Sequence, residues 1–340
     1  MRCVIGVDLG GTNVRAGAFY ENGTPAGQWF SNPSRAQSGT DAIMDAVAVT
    51  VHQARDAAKA APESIGIAIP GHIDDAAGVV RWAPNFGETV GGVFRYWVDV
   101  PFRAALGPKV GLPLHMDNDA NAAALGEYRF GTGRNSAKCL VMLTVGTGIG
   151  GGVVMSPQSV VGDAHGPLVL VGGNKGGAEL GHVVIAANGM DCNAGEYGSI
   201  EGYCQRDAIV KRAQHRLNRG RASILNDLVG GDLGKLTPKH LSEAAEKGDE
   251  VSLEIWDEVG TMLGIGIGNY VNIFAPDVVA IGGNIARAGS LLMKPAIRAA
   301  RNVAIPSLFK DATIGVAEQI DDAGMLGGAA LALEALKRGA

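Results

Sequence analysis

Two segments far apart in this chain share one layout: an apolar strand, a glycine turn, a second strand. No other feature restricts the fold as much. The first is Val4–Gly17 (VIGVDLGGTNVRAG), and the second begins at Leu140 (LVMLTVGTGIGGGVVM). In the first, Asp8 ends a strand beside Gly10-Gly11-Thr12. A carboxylate placed there can hold Mg²⁺ while bare backbone N–H groups approach phosphate oxygens. In the second, Gly146, Gly148 and Gly151 fit the spacing G-x-G-x-x-G, but Val153-Val154-Met155 continues as a strand. A dinucleotide fingerprint must instead open a helix within a βαβ unit. The context favours a β-hairpin that clamps phosphate. No G-x-x-x-x-G-K-[ST] loop occurs. Two copies of such a unit predict two related lobes closing on one phosphate group.

The rest of the chain alternates strands and helices. Short apolar runs bounded by glycine or proline predict strands at Val4–Leu9, Ser64–Ile69, Leu140–Val145, Gly151–Met155 and Val278–Ile281. Helical spacing of apolar residues predicts helices over Thr40–Ala61, Ala120–Arg129, Thr237–Lys247, Glu250–Ala275 and Ala323–Lys337. This order indicates an α/β protein. At 340 residues two domains are the natural expectation, with a boundary near Leu114–Asp117. The 51 glycines cluster where strands end, so they are not low-complexity sequence.

Charge and composition narrow the function. The net charge of −5 provides no general basic surface for nucleic acid or acidic membranes. The one basic run, Lys211 to Arg221, reads as the solvated face of a helix. Aromatic residues make up only 5%, too few for base-stacking platforms. Cys3, Cys139, Cys192 and Cys204 lack disulfide-framework spacing, which points to free thiols in a reducing compartment. A strand at residue 4 leaves no leader to read, and no apolar run approaches a membrane span. A cytoplasmic protein is expected.

Three further constellations carry chemistry. Asp117-Asn118-Asp119-Ala120-Asn121 stands where a strand gives way to a helix. Capping that helix needs one Asp or Asn. The others are spare: an Asp near phosphate loops can take a proton from a hydroxyl, and Asn118 can orient that hydroxyl. Glu179-Leu180-Gly181-His182, followed by Glu201, offers the mixed donors and acceptors that sugar hydroxyls need, although each residue alone suits a surface acid or a core histidine equally well. Gly282-Gly283-Asn284 follows a strand and lets backbone approach a planar ring or ribose, or else simply makes a tight turn.

In this order the motifs resemble the ROK family of bacterial sugar kinases and sugar-responsive repressors, within the actin/hexokinase-like ATPase fold. DLGGTNVRAG resembles its first phosphate motif, IAIPGHID and APNFG its sugar-pocket loops, and NDANAAALGE its catalytic motif. LTVGTGIGGG is similar to its second phosphate motif, ELGH to its signature, and NIFAPDVVAIGGNI to its adenosine motif. The resemblance implies a two-lobed, ribonuclease H-like α/β fold, each lobe a mixed sheet flanked by helices. The small lobe would be residues 1–117 plus 318–340 and the large lobe 118–317, with ATP and sugar in the cleft between. Asp119 would be the general base on a hexose 6-hydroxyl. Gly71, Asn85, Asn118, Glu179, His182 and Glu201 would bind the sugar. Asp8, Gly10, Gly11, Thr12, Gly146, Thr147 and Gly148 would hold Mg-ATP, with Mg²⁺ reached from Asp8 through the nucleotide. Gly282 and Gly283 would border the adenosine.

Glucose is the leading substrate that the resemblance implies. N-acetylmannosamine, N-acetylglucosamine, fructose and allose are the alternatives, and a non-catalytic sugar sensor is the rival class. A homodimer or higher homo-oligomer is implied, with no nucleic-acid or membrane partner. Family repressors carry a DNA-binding element before the first phosphate motif, and here that motif starts at residue 4. Relatives with a structural zinc use one His and three Cys; the matching positions are His182, Cys192, Ala194 and Ser199, so only two ligands are present and zinc is not expected. Two segments depart from the family pattern, Gly87–Pro101 and Ser156–Lys175.

Overall fold

The computed structural model describes residues 1–162, 165–192 and 194–338. Its strands among these residues are β1 (Cys3–Leu9), β2 (Asn13–Tyr20), β3 (Phe30–Pro33), β4 (Ile65–Ile69), β5 (His72–Asp74), β6 (Val79–Val90), β7 (Val93–Val100), β8 (Leu114–Asn118), β9 (Cys139–Val145), β10 (Ile149–Met155), β11 (Leu168–Val169), β12 (Val278–Gly282) and β13 (Thr313–Val316). The chain divides into two compact units. One comprises residues 1–138, 152–178 and 321–340, and the other residues 139–151 and 179–320.

The first unit is built on a sheet of order β3-β2-β1-β4-β8. β1 and β2 are antiparallel, while β1-β4 and β4-β8 are parallel. One face packs on helices Thr40–Asp56 and Phe102–Val110 through Ile5, Val7, Ile43, Val47, Ile67 and Phe102. The other face carries helix Ala323–Arg338, and helix Asp119–Phe130 lies against that helix. This second packing explains one set of the glycines. A Cβ on Gly6 or Gly66 would strike the backbone of Met325 or Gly328, and one on Gly327 would strike Ala122. Bare Cα atoms bring helix and sheet backbones together, so a larger side chain here forces the layers apart.

That packing also moves the expected boundary. Helix Asp119–Phe130 joins the first unit because it lies on Ala323–Arg338, so the division falls between Lys138 and Cys139 rather than at Asp117. It passes again through β10, between Gly151 and Gly152.

In the second unit β12 runs parallel to both β9 and β13. Helix Glu250–Phe274 packs along helix Ser290–Val303. Gly260, Gly264 and Gly268 stand one turn apart and face Leu292, Pro295, Ala296, Ala299, Ala300 and Val303. These three glycines form the contact seam of the long helix, while Gly266 faces Ile200.

The expected elements all form, with ends shifted. The first helix stops at Asp56, short of Ala61. The basic run lies on helix Arg206–Asn218, where Arg216 pairs with Glu258, and past its end Arg221 pairs with Glu254. Gly87–Pro101 belongs to the hairpin β6–β7, which turns at Gly91-Gly92. Trp97 on its inner face is buried against Phe86 and donates to the Thr40 hydroxyl. In Ser156–Lys175, β11 pairs antiparallel with Val154–Met155; Asp163 and Ala164 lie outside the described residues. No helix among the described residues is long and apolar enough to cross a membrane.

Candidate active site

The site residues of the first unit are set by the ends of β1, β4 and β8. Asp8 sits at the end of β1, and its Oδ2 accepts from Arg15 Nη2 at 2.6 Å and Nε at 3.2 Å. Arg15 also donates to the Asp321 carbonyl at 2.9 Å. Gly324, at the start of the C-terminal helix, leaves room for the Asp8 carboxylate, because a Cβ there would strike it. The turn Gly10-Gly11-Thr12 follows, closed by the Gly10 N–H on the Asn13 carbonyl at 2.9 Å. A Cβ on Gly11 would meet open space, so this backbone is bare.

Asn118 ends β8 and caps helix Asp119–Phe130. Its Oδ1 accepts from the N–H groups of Ala120 and Asn121, at 2.9 and 3.2 Å. Its Nδ2 donates to the Gly71 carbonyl at 3.0 Å. Gly71 has φ +119° and lies against the Trp82 carbonyl and Ala83, where a side chain could not fit. One amide therefore joins Gly71 to the start of the helix and leaves Asp119 at its first residue, where the N-terminal dipole favours an anion. The exposed Asn85 lies on β6 within the register shift between Ala83 and Gly87, two residues past the point where Gly71 touches this strand.

Asp117 is the neighbour whose role differs from simple capping. It is buried and accepts from the Asn118 N–H at 2.7 Å and the Asn121 amide at 3.2 Å. Burial pushes its carboxyl up to about 6, against these two hydrogen bonds.

In the second unit Gly146-Thr147-Gly148 joins β9 to β10. Glu201, buried in helix Ile200–Cys204, reaches the turn, and its Oε2 accepts from the Ile149 N–H at 2.8 Å. A Cβ on Gly148 would crowd that carboxylate. Gly283, φ +80°, turns the chain after β12 and lies on the backbone of Val145, so the two glycine turns are neighbours. Next to them is a cavity of about 520 Å³ lined by Gly146, Thr147, Arg206, Thr237, Glu243 and Asn284, among others. The cavity wall formed by Thr237–Glu246 was not legible as a site in the sequence, where it reads as an ordinary capped helix.

Glu179 and His182 meet at a 3₁₀ turn, with His182 Nε2 3.9 Å from a Glu179 oxygen. The other ring nitrogen, Nδ1, is hydrogen-bonded to the Glu196 carboxylate. Ligand atoms of His182, Cys192 and Glu201 lie within 4.8 Å of one another. These residues do not fit a four-coordinate structural zinc. Ala194 has no side-chain ligand for a metal, and the Ser199 hydroxyl caps helix Ile200–Cys204. Cys192 Sγ accepts from the Ala194 N–H, and Glu201 is held by Ile149.

A family model described as ROK family matches residues 4–335. This chain belongs to the ROK family. Among ROK relatives, it is 36% identical to the glucokinase of Thermotoga maritima, covering 97% of each chain. It is 31% identical to a ROK glucokinase of Streptomyces griseus, whose crystal structure holds glucose and AMPPNP; the TM-score is 0.79, with 98% of this chain and 99% of that one covered. A putative xylose repressor of Caldicellulosiruptor sp. is 30% identical over 82% of this chain and 66% of its own length. ROK membership carries the actin-like ATPase fold.

Proposed function

We propose that this protein is an ATP-dependent sugar kinase that phosphorylates a hexose at its 6-hydroxyl, with glucose as its substrate. The observation that carries the reading is the near full-length likeness to glucokinases, one of them holding glucose and an ATP analogue. The repressor likeness covers a smaller share of both chains. Another hexose is the alternative, because glucose epimers present the same kinds of hydroxyl to the same donors.

Asp119 takes the 6-hydroxyl proton as that oxygen attacks the γ-phosphorus. The P–O bond to ADP breaks, and the phosphoryl group ends on the sugar. Asn118, pinned between the helix N-terminus and Gly71, holds the hydroxyl in line. Gly71, Asn85, Glu179, His182 and Glu201 bind the remaining hydroxyls. The adenosine takes the cavity beside Gly282 and Gly283, with its phosphates on Gly146, Thr147 and Gly148 and on Gly10, Gly11 and Thr12.

Asp8 fits a role toward Mg²⁺. It is a partly exposed carboxylate beside a bare glycine turn, and Mg²⁺ bound to phosphates needs only one or two protein carboxylates. The ion would neutralise charge on the transferring phosphoryl group. Use of ATP and four free buried thiols fit the cytoplasm, and a homodimer is the assembly we propose. A coupled ADP-release assay across hexoses, with light scattering for mass, tests this reading. No sugar-stimulated turnover on any hexose would sink it.

A further inference from the structure

We propose that Glu196 is a positioning residue for sugar binding: it holds His182 by Nδ1, so that the loop needs no metal to aim the ring. The inference rests on the reading of His182 as a sugar ligand. An imidazole that donates Nδ1–H to a carboxylate is fixed in tautomer and rotation, and its Nε2 is left as the working atom. Here Glu196 takes Nδ1, while Nε2 points toward Glu179, the other proposed sugar ligand, 3.9 Å away.

The loop that carries Glu196 is closed by its own backbone. The Cys192 N–H donates to the Glu196 carbonyl at 2.9 Å, and Asp191 and Tyr197 form a bridge. The Gly198 N–H donates to the Met190 carbonyl, and its carbonyl accepts from Ile185 and Ala186. Val184 bridges to Ser199. The strand-like pairing on both sides of Glu196 ties its backbone to the segment just after His182, so the carboxylate and the ring are set by one framework. Donors that a structural metal would need are missing or otherwise engaged: Ala194 offers none, Ser199 caps a helix, and Glu201 accepts from Ile149. A structural zinc takes four donors.

The test uses the full-length protein. Purified enzyme should carry less than stoichiometric zinc, and EDTA should leave its melting temperature and sugar KM unchanged. Stoichiometric zinc whose removal lowers either one would overturn the proposal. Glu196→Ala should raise sugar KM by about 10-fold, the loss of one charge-assisted hydrogen bond, with a smaller change in kcat. Glu196→Gln, which keeps an acceptor for Nδ1–H, should recover part of the loss. His182→Ala with Glu196→Ala should be no worse than His182→Ala alone, and additive losses would place Glu196 in some other role.

Imidazole ¹⁵N spectra give a readout that does not depend on sugar. His182 should be Nδ1-protonated in the parent enzyme and a tautomer mixture in Glu196→Ala. If His182→Ala leaves sugar KM unchanged while the spectra behave as stated, the sugar assignment of His182 fails and the Glu196–His182 pair stands. If the spectra do not change, the pair itself is wrong.

Discussion

The hairpins β1–β2 and β9–β10 share a layout but keep their turns in different ways. The first provides its own charge pair: Asp8 and Arg15 lie opposite each other in the register of the two strands and form an ion pair. The second has no acid in its turn and takes one from Glu201, more than fifty residues on, which reaches the Ile149 N–H. A turn held by its own strands needs only local register. A turn held by a distant helix depends on the packing of that helix, so the second hairpin is coupled to the residues around Glu201 and the first is not.

The largest expected effect lies outside both hairpins. Asp119→Asn should lower kcat by about 10²–10⁴-fold while sugar binding measured by calorimetry persists. Near-normal turnover would show that charge at the hairpins, rather than a base, carries the reaction. Asp117 comes next, since its acid meets neutral donors where Asp8 meets Arg15. With its carboxyl pushed up to about 6, the folded chain keeps a proton that the unfolded chain has already lost above about pH 4. Stability from this group is full below pH 4 and falls as the pH rises to about 6, by roughly 3 kcal/mol in all. Asp117→Asn should remove that slope from melting temperature against pH, and an unchanged slope would contradict it.

Two smaller effects separate the hairpins directly. Glu201→Ala leaves the Ile149 N–H without its acceptor and should cost about 1–3 kcal/mol in a urea titration. Glu201→Gln, which keeps an acceptor, should recover most of this. Equal stability of the Ala variant would break the contrast, because the second turn would then stand without its distant support. Arg15→Met removes a partly exposed pair and should cost about 1 kcal/mol or less, with a several-fold rise in ATP KM as Asp8 loses its partner. A larger loss of stability than from Glu201→Ala would reverse the ordering.

Legibility followed the range of the forces involved. The strands around Asp8 and Gly146 and the helix after Asn118 follow from local patterning, so they could be read with ends a few residues off. The hairpin β6–β7 does not stand out in the sequence because Val93, Tyr96 and Val98 are exposed, which blurs the alternation that marks a half-buried strand. The helix Ser290–Val303 went unread because Pro295 interrupts its pattern; in the fold Pro295 packs on Gly260. Glu196 carries no mark in the sequence, since nothing local distinguishes a carboxylate that meets a histidine fourteen residues earlier.

The residues alone determined that two glycine turns follow apolar strands, that a strand gives way to a capped helix at Asp117-Asn118-Asp119, and that only two of four zinc ligands exist. These are matters of residue identity and local spacing, which propensity and sterics decide within a few residues. Tertiary structure decided the rest: that Glu201 supports the second turn, that Glu196 aims His182, and that helix Asp119–Phe130 joins the first unit. Each depends on atoms brought together from distant parts of the chain, and their distances are set by packing that no local pattern encodes.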